Sequence, residues 1–177
     1  ALLSRGLGDV YKRQVSNMAK VVSTPLAYNT KISEGDIIII HHNVFRTFRD
    51  IRGKQKTSRS KFTENLYFVA MDQVYMYKNK KNWNTFNNRC FVKPLLSDND
   101  LTLDKERELV GILKYGNSSL EALKINPGDM IGYTPDGEYE FFIDGERLYC
   151  MKSNDIVIKY EQQGNEIEYN PSWAKSS

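Results

Sequence analysis

Glu138-Tyr139-Glu140-Phe141-Phe142-Ile143-Asp144-Gly145-Glu146-Arg147-Leu148-Tyr149-Cys150-Met151-Lys152 reads as two strands joined by a two-residue turn. Asp-Gly accepts the positive φ values of a tight hairpin, and the flanks are rich in aromatic and branched residues. Downstream, Ile156 to Glu161 is a closing strand. Upstream, a strand at Met130 to Tyr133 runs into the tight-turn sequence Thr134-Pro135-Asp136-Gly137. Glu108 to Leu113 is another strand, and Arg89 to Leu95 stops at Pro94, which cannot donate to a ladder. Ser118 and Ser119 are placed to cap one helical turn through Leu123. Six short strands between Asn88 and Glu161 predict an all-β fold, a closed or nearly closed small barrel that hides its edges.

The same punctuation occurs earlier in the chain. Ile32-Ser33-Glu34-Gly35-Asp36-Ile37-Ile38-Ile39-Ile40 parallels Ile125-Asn126-Pro127-Gly128-Asp129-Met130-Ile131-Gly132-Tyr133. In each, glycine supplies a positive φ and aspartate bonds back to nearby N–H groups before an apolar strand begins. A Leu-Tyr strand and an apolar closing strand follow both: Leu66 to Val69 and Val74 to Tyr77, then Leu148 to Met151 and Ile156 to Tyr160. Val21-Val22 precedes the first turn as Val110 to Leu113 precedes the second. Four matched elements in one order predict an internal duplication.

Composition narrows the class. The 177 residues are 40% hydrophobic and 27% charged, with a net charge of +3, too small by itself to demand a polyanionic partner. No stretch approaches the roughly 20 apolar residues of a membrane span, so a soluble, cytoplasmic protein is expected. Cys90 and Cys150 sit in apolar runs and read as small buried hydrophobes. His41 and His42 end an apolar strand, where neighbours point to opposite faces, so no shared metal is expected. Residues 1–14, Ala1 to Gln14, have no clear period and are similar to translated sequencing-adapter DNA. No apolar run follows Arg5 as a signal peptide would require. That segment is therefore set aside, and the first module is read as residues 15–78, lacking its opening strand and first loop. Asn79 to Asn87, rich in Asn and Lys, reads as a linker, 88–161 as a complete module, and 162–177 as a flexible tail.

The second module resembles the GroES-type co-chaperonins. Their opening strand, Arg-x-x-Val-Lys-Pro-Leu, is matched by Arg89-Cys90-Phe91-Val92-Lys93-Pro94-Leu95. Glu108 to Asn117 is similar to the family's Gly-rich second strand, and Lys124 to Asp129 to its Lys-x-Gly-Asp turn. The closing Gly-Glu-x-Leu-x-x-Met-x-x-x-Asp-Ile motif is followed from Gly145 through Ile156. The resemblance implies two tandem small β-barrels, no enzymatic activity, no cofactor, and a homo-oligomeric ring that caps a GroEL-type chaperonin, which binds the ATP. It further implies that a mobile loop touches the chaperonin. That position is Leu96 to Arg107, whose apolar anchors are Leu101 and Leu103 flanking Thr102. The loop is short and lacks the family's Gly-Gly-Ile type segment, so a plain surface connection stands beside the binding reading. The short connection from Asn117 to Leu123 implies an open-topped dome, as in some phage-encoded members.

An insertion in the first module, Phe45 to Phe62, departs from this pattern. Arg46, Arg49, Arg52, Lys54, Lys56, Arg59 and Lys61 stand against Asp50 alone, a local net of +6. Without it the chain's +3 would fall to −3. Two readings stay open: a β-barrel nucleic-acid binder, with Phe45, Phe48 and Phe62 near the charges although no stacking platform or base-reading element is evident, or a solvated loop that decorates the ring or touches an acidic chaperonin surface. An alcohol-dehydrogenase-like enzyme with a GroES-like fold would need a G-x-G-x-x-G dinucleotide domain or a Cys/His zinc cluster, and neither motif occurs.

Overall fold

The computed structural model describes residues 1–6, 18–27, 29–97, 106–135, 139–164 and 166–169. The chain forms two compact units, Ala1–Asn87 and Asn88–Ser177. The first contains β1 (Leu2–Gly6), β2 (Met18–Ser23), β3 (Ile37–Ile40), β4 (Thr47–Arg49), β5 (Gln55–Thr57), β6 (Lys61–Thr63), β7 (Leu66–Val69), β8 (Val74–Asn79) and β9 (Asn82–Thr85). Seven of these make one sheet in the order β6-β7-β1-β2-β3-β8-β9, while β4 and β5 pair separately. The second contains β10 (Arg89–Leu96), β11 (Glu106–Tyr115), α1 (Ser118–Ala122), β12 (Met130–Tyr133), β13 (Tyr139–Ile143), β14 (Glu146–Lys152) and β15 (Ile156–Tyr160). Its sheet runs β13-β14-β10-β11-β12-β15.

The two orders are the same, with β9 added to the first. The likeness extends to register. Leu2 faces Val69 as Cys90 faces Met151, and Ser4 faces Tyr67 as Val92 faces Tyr149. The opening strands are irregular at equivalent points, between Leu3 and Ser4 and between Phe91 and Val92. Both Gly-Asp turns use one bonding scheme. Val21 N–H donates to Asp36 O at 2.9 Å and Gly35 N–H to Val21 O at 2.9 Å; Leu113 N–H donates to Asp129 O at 2.9 Å and Gly128 N–H to Leu113 O at 2.8 Å. The aspartates accept from Ser33 N–H at 2.9 Å and Asn126 N–H at 2.8 Å. Gly35 and Gly128 sit at φ +88° and +96°, where a Cβ is strained.

One hydrophobic pattern serves both units. Leu2, Val21, Ile38, Ile40 and Val69 are buried in the first core, as their equivalents Cys90, Leu113, Ile131, Tyr133 and Met151 are in the second. Both cysteines are free and fully buried. Burial, with Asp155 adding to it, pushes the Cys90 thiol up to about 12, so it packs as an apolar group.

Five sequence expectations need correction. Part of the segment set aside at the N-terminus is structural: β1 lies between β7 and β2 and supplies the opening strand thought to be missing. Leu2 is fully buried there, worth about 1.5–3 kcal/mol. The expected linker is instead a hairpin. β9 pairs with β8 through Tyr77↔Asn84 and Lys78↔Trp83, Lys80 takes φ 54° in the turn, and the Lys78 ammonium sits 5.3 Å from the Trp83 ring centroid. The tail contains paired backbone: Leu96 N–H donates to Ile167 O at 2.7 Å and Tyr169 N–H to Pro94 O at 2.8 Å, past the point where β14 leaves β10. Neither sheet closes among the described residues, for β6 and β9 end one and β13 and β15 end the other. β15 pairs with β12 on one side only among the described residues, and its Val157, Ile158 and Tyr160 are exposed. The cap of α1 is also displaced: Asn117, not Ser118, accepts from Leu120 N–H at 3.1 Å.

The second Gly-Asp turn yields a stability prediction. The Asn126 N–H and then the Lys159 ammonium, 2.9 Å away, hold the Asp129 carboxyl below its ordinary 3.8. A depressed folded pKa contributes stability that is full above the unfolded value and fades as pH falls through the folded one. Asp129→Ala is expected to cost about 1 kcal/mol at neutral pH. Urea titrations of wild type and variant should converge as the pH falls below the ordinary 3.8 and through the depressed folded pKa. A gap that persists there would assign the cost to something other than the carboxylate.

Candidate functional site

β10 and β11 are joined through residues 97–105, and Leu96↔Glu106 is the last pair of their ladder. Leu101, Thr102 and Leu103, the expected chaperonin contacts, lie outside the described residues. The stem of that connection is described. Arg147 of β14 donates to the carboxylate of Glu106, binds Glu140 at 2.8 Å, and gives a third bond to the Tyr149 hydroxyl at 2.6 Å. Its guanidinium carbon also stands 5.0 Å from the Tyr149 ring centroid. Burial works against this charge, but the hydrogen bonds it donates to Glu140 and Glu106 outweigh it and make the group more basic than usual. Burial first, then Glu106, pushes the Tyr149 phenol up. Arg147 thereby ties β14 to the start of β11, directly below the connection.

Lys93 occupies the same strand as the motif that carries the family resemblance. It is 1% exposed, and its Nζ has no hydrogen-bond partner among the described residues. Burial lowers its pKa; Glu146 and Glu168 oppose the shift, and Lys114 and Arg147 add to it. Sequence reading missed both the Arg147 cluster and this amine. A lysine inside the run Phe91-Val92-Lys93-Pro94-Leu95 was the available signal, because every other residue of that run is apolar.

The basic insertion forms a projecting hairpin. Its base is fixed: Val44 is fully buried, Phe45 packs edge-on against Tyr67 at 4.8 Å, and Ser58 N–H donates to Arg46 O at 2.9 Å. Its tip is tied by Asp50, whose carboxylate accepts Arg52 N–H at 2.9 Å and Lys54 N–H at 3.0 Å. Between them, every residue of β4 and β5 is exposed. Phe48 pairs across to Lys56, so strand alternation sets Arg46, Phe48, Asp50, Lys54 and Lys56 on one face. The 3.5 Å Lys56–Asp50 ion pair fits that placement. Arg49 lies on the other face, Arg52 in the turn, and Arg59 and Lys61 follow β5. Aromatic surface accompanies the charge: Phe48 and Phe62, both noted in the sequence, and Phe68, which was not, are 44%, 55% and 44% exposed. The Phe62 and Phe68 rings are 5.0 Å apart.

The histidines do not lie in a strand. β3 ends at Ile40, a 3-10 turn covers His42–Phe45, and the His41 and His42 rings stack with centroids 4.4 Å apart. His41 Nδ1 accepts from Asn43 N–H at 3.2 Å, capping the turn. Among the described residues, no group of three or more His, Cys, Asp or Glu stands together to hold a metal. No helix there is long and apolar enough to cross a membrane. No model of a known protein family matches the chain, and no curated protein matches it.

Proposed function

We propose that this chain is a tandem co-chaperonin of the GroES type, a ring-forming binding protein rather than an enzyme. One observation carries the reading. The ordered motifs of the second module fall on adjacent strands of one sheet, β10, β11, β12 and β14, and the first module repeats that sheet's order and register. By the sequence resemblance, the connection after β10 corresponds to the family's chaperonin-contacting loop, and the Arg147 ion pairs brace its base. In this reading Leu101 and Leu103 insert into an apolar groove of a GroEL-type chaperonin, which turns over the ATP. Weak single contacts become strong when several loops of one ring engage together.

Native mass spectrometry and co-sedimentation with a GroEL-type chaperonin in ADP test the proposal. A ring of this chain bound to the chaperonin is expected. Leu101→Asp with Leu103→Asp should weaken each loop's contact about tenfold, since a charge enters an apolar groove, while leaving both sheets folded. A strictly monomeric chain that never sediments with the chaperonin would sink the reading.

A further inference from the structure

We propose that the β4–β5 hairpin of the first module is a binding site for single-stranded nucleic acid, independent of any chaperonin contact. The first support is charge without compensation. Among the described residues Arg46, Arg49, Arg52, Lys54 and Arg59 are exposed, and the ion pairs near them involve other cations, Lys56 with Asp50 and Lys61 with Glu64. Those two pairs are 3.5 and 3.9 Å long and each has one well-exposed partner, Lys56 and Glu64, so they hold their lysines only weakly. Asp50 is itself spent on the turn, accepting two backbone N–H groups. A protein that must stay soluble does not need +6 on one arm while the rest sums to −3. Such segregation suits a polyanion, because phosphate contacts release counterions from the ligand.

The second support is the aromatic surface set among the charges. Phe48 is 44% exposed in the middle of β4, with Lys56 opposite and Arg46 and Lys54 on the same face. Residues two apart on a strand stand about 7 Å apart. A base stacked on Phe48 would therefore have cations within reach of its flanking phosphates. Stacking of successive bases on aromatic rings beside a positive track is how sequence-tolerant single-strand sites work. Nothing in the core needs Phe48 where it is, since all of β4 and β5 is exposed.

The alternatives fit less well. The major groove of a duplex admits a two-stranded ribbon, but reading it calls for hydrogen-bonding side chains at base edges, whereas this face centres on an exposed phenyl ring that suits an unstacked base. Insertion into a membrane would want apolar residues gathered at the tip, yet the turn Asp50-Ile51-Arg52-Gly53 offers Ile51 alone among charged and small residues. An acidic protein surface would satisfy the cations but leave the phenyl ring without a purpose.

Fluorescence anisotropy of labelled oligo(U) and oligo(dT), titrated with the full chain, is the test. Binding through about four phosphates predicts a log–log salt slope near −3, or a loss of about 50-fold between 50 and 200 mM salt. Phe48→Ala should weaken binding about tenfold and Phe48→Trp should restore it, whereas Arg46→Glu with Lys56→Glu should flatten the salt slope. Preference for oligo(U) would assign RNA, and equal affinity a backbone-and-stacking site for either strand. No binding at low salt overturns the proposal. So does binding that ignores Phe48, which would mark simple polyanion attraction, or capture of phosphatidylserine vesicles in place of oligonucleotides.

Discussion

Gly111→Ala is expected to destabilise the second unit by about 3 kcal/mol and to leave the first intact. Gly111 lies in β11 opposite Pro94, with the two backbones in close approach. A Cβ there would stand 2.4 Å from Val92 Cγ1, 2.6 Å from Lys93 O and 3.3 Å from Lys93 C. Val92 is fully buried in the core, and the Lys93 carbonyl belongs to a strand paired on both sides, so neither can step aside. The strands must part instead. Against a total stability of about 5–15 kcal/mol, that is a large fraction. Gly132 makes the internal control. Its Cβ would meet Ile158 Cγ2 at 2.6 Å and Tyr160 Cε2 at 3.0 Å, but these are exposed side chains of an edge strand and can rotate away. Gly132→Ala should cost less than about 1 kcal/mol. Hydrogen exchange read peptide by peptide should show lost protection in β10 to β12 for the first variant alone. Equal, small effects at both glycines would refute the close approach.

That close approach is not legible in a single strand of sequence, whereas the duplication was. A Gly-Asp turn followed by a branched apolar strand is a local signal, since φ preference, side-chain capping and alternation all act within a few residues. The reading from Ile32 to Ile40 and from Ile125 to Tyr133 therefore matches the turns and strands found there. So does the Asp144-Gly145 hairpin, whose two turn residues sit at φ 50° and 76°. Strands whose own residues lack the pattern escaped. Leu2-Leu3-Ser4-Arg5-Gly6 is a strand because β7 and β2 offer ladders on both sides, and nothing in those five residues announces it. Asn82-Trp83-Asn84-Thr85 hides its pairing behind a linker-like composition, and Trp83 acts through Lys78 across the hairpin. The basic insertion was legible as charge but not as a surface. Only its projection as a hairpin reveals that Phe48 stays exposed instead of packing inward.

The buried amine of β10 gives the converse prediction, a substitution that strengthens the fold. Lys93→Met keeps the side chain's length and apolar stem, and removes an ammonium that is 1% exposed and unpartnered among the described residues. An unsatisfied buried polar group costs about 1–3 kcal/mol, so the variant should be more stable by that order. For a unit of this size each kcal/mol raises the unfolding midpoint by about 4–8 °C. The pH dependence separates this cause from a mere packing gain. Burial holds the folded pKa below the unfolded value of 10.5, so between those two values the unfolded chain binds the extra proton. Wild-type stability must then rise with pH through that window, while the full penalty applies at every lower pH. Lys93→Met has no proton to lose there and should lack the rise. The two proteins would thus differ most at neutral pH and approach one another near pH 10.5. Thermal unfolding followed at both pH values measures it. A methionine variant less stable than wild type at neutral pH would mean that Glu146 and Glu168 hold the amine as a true ionic partner, and the buried charge would be a stabilising element of β10.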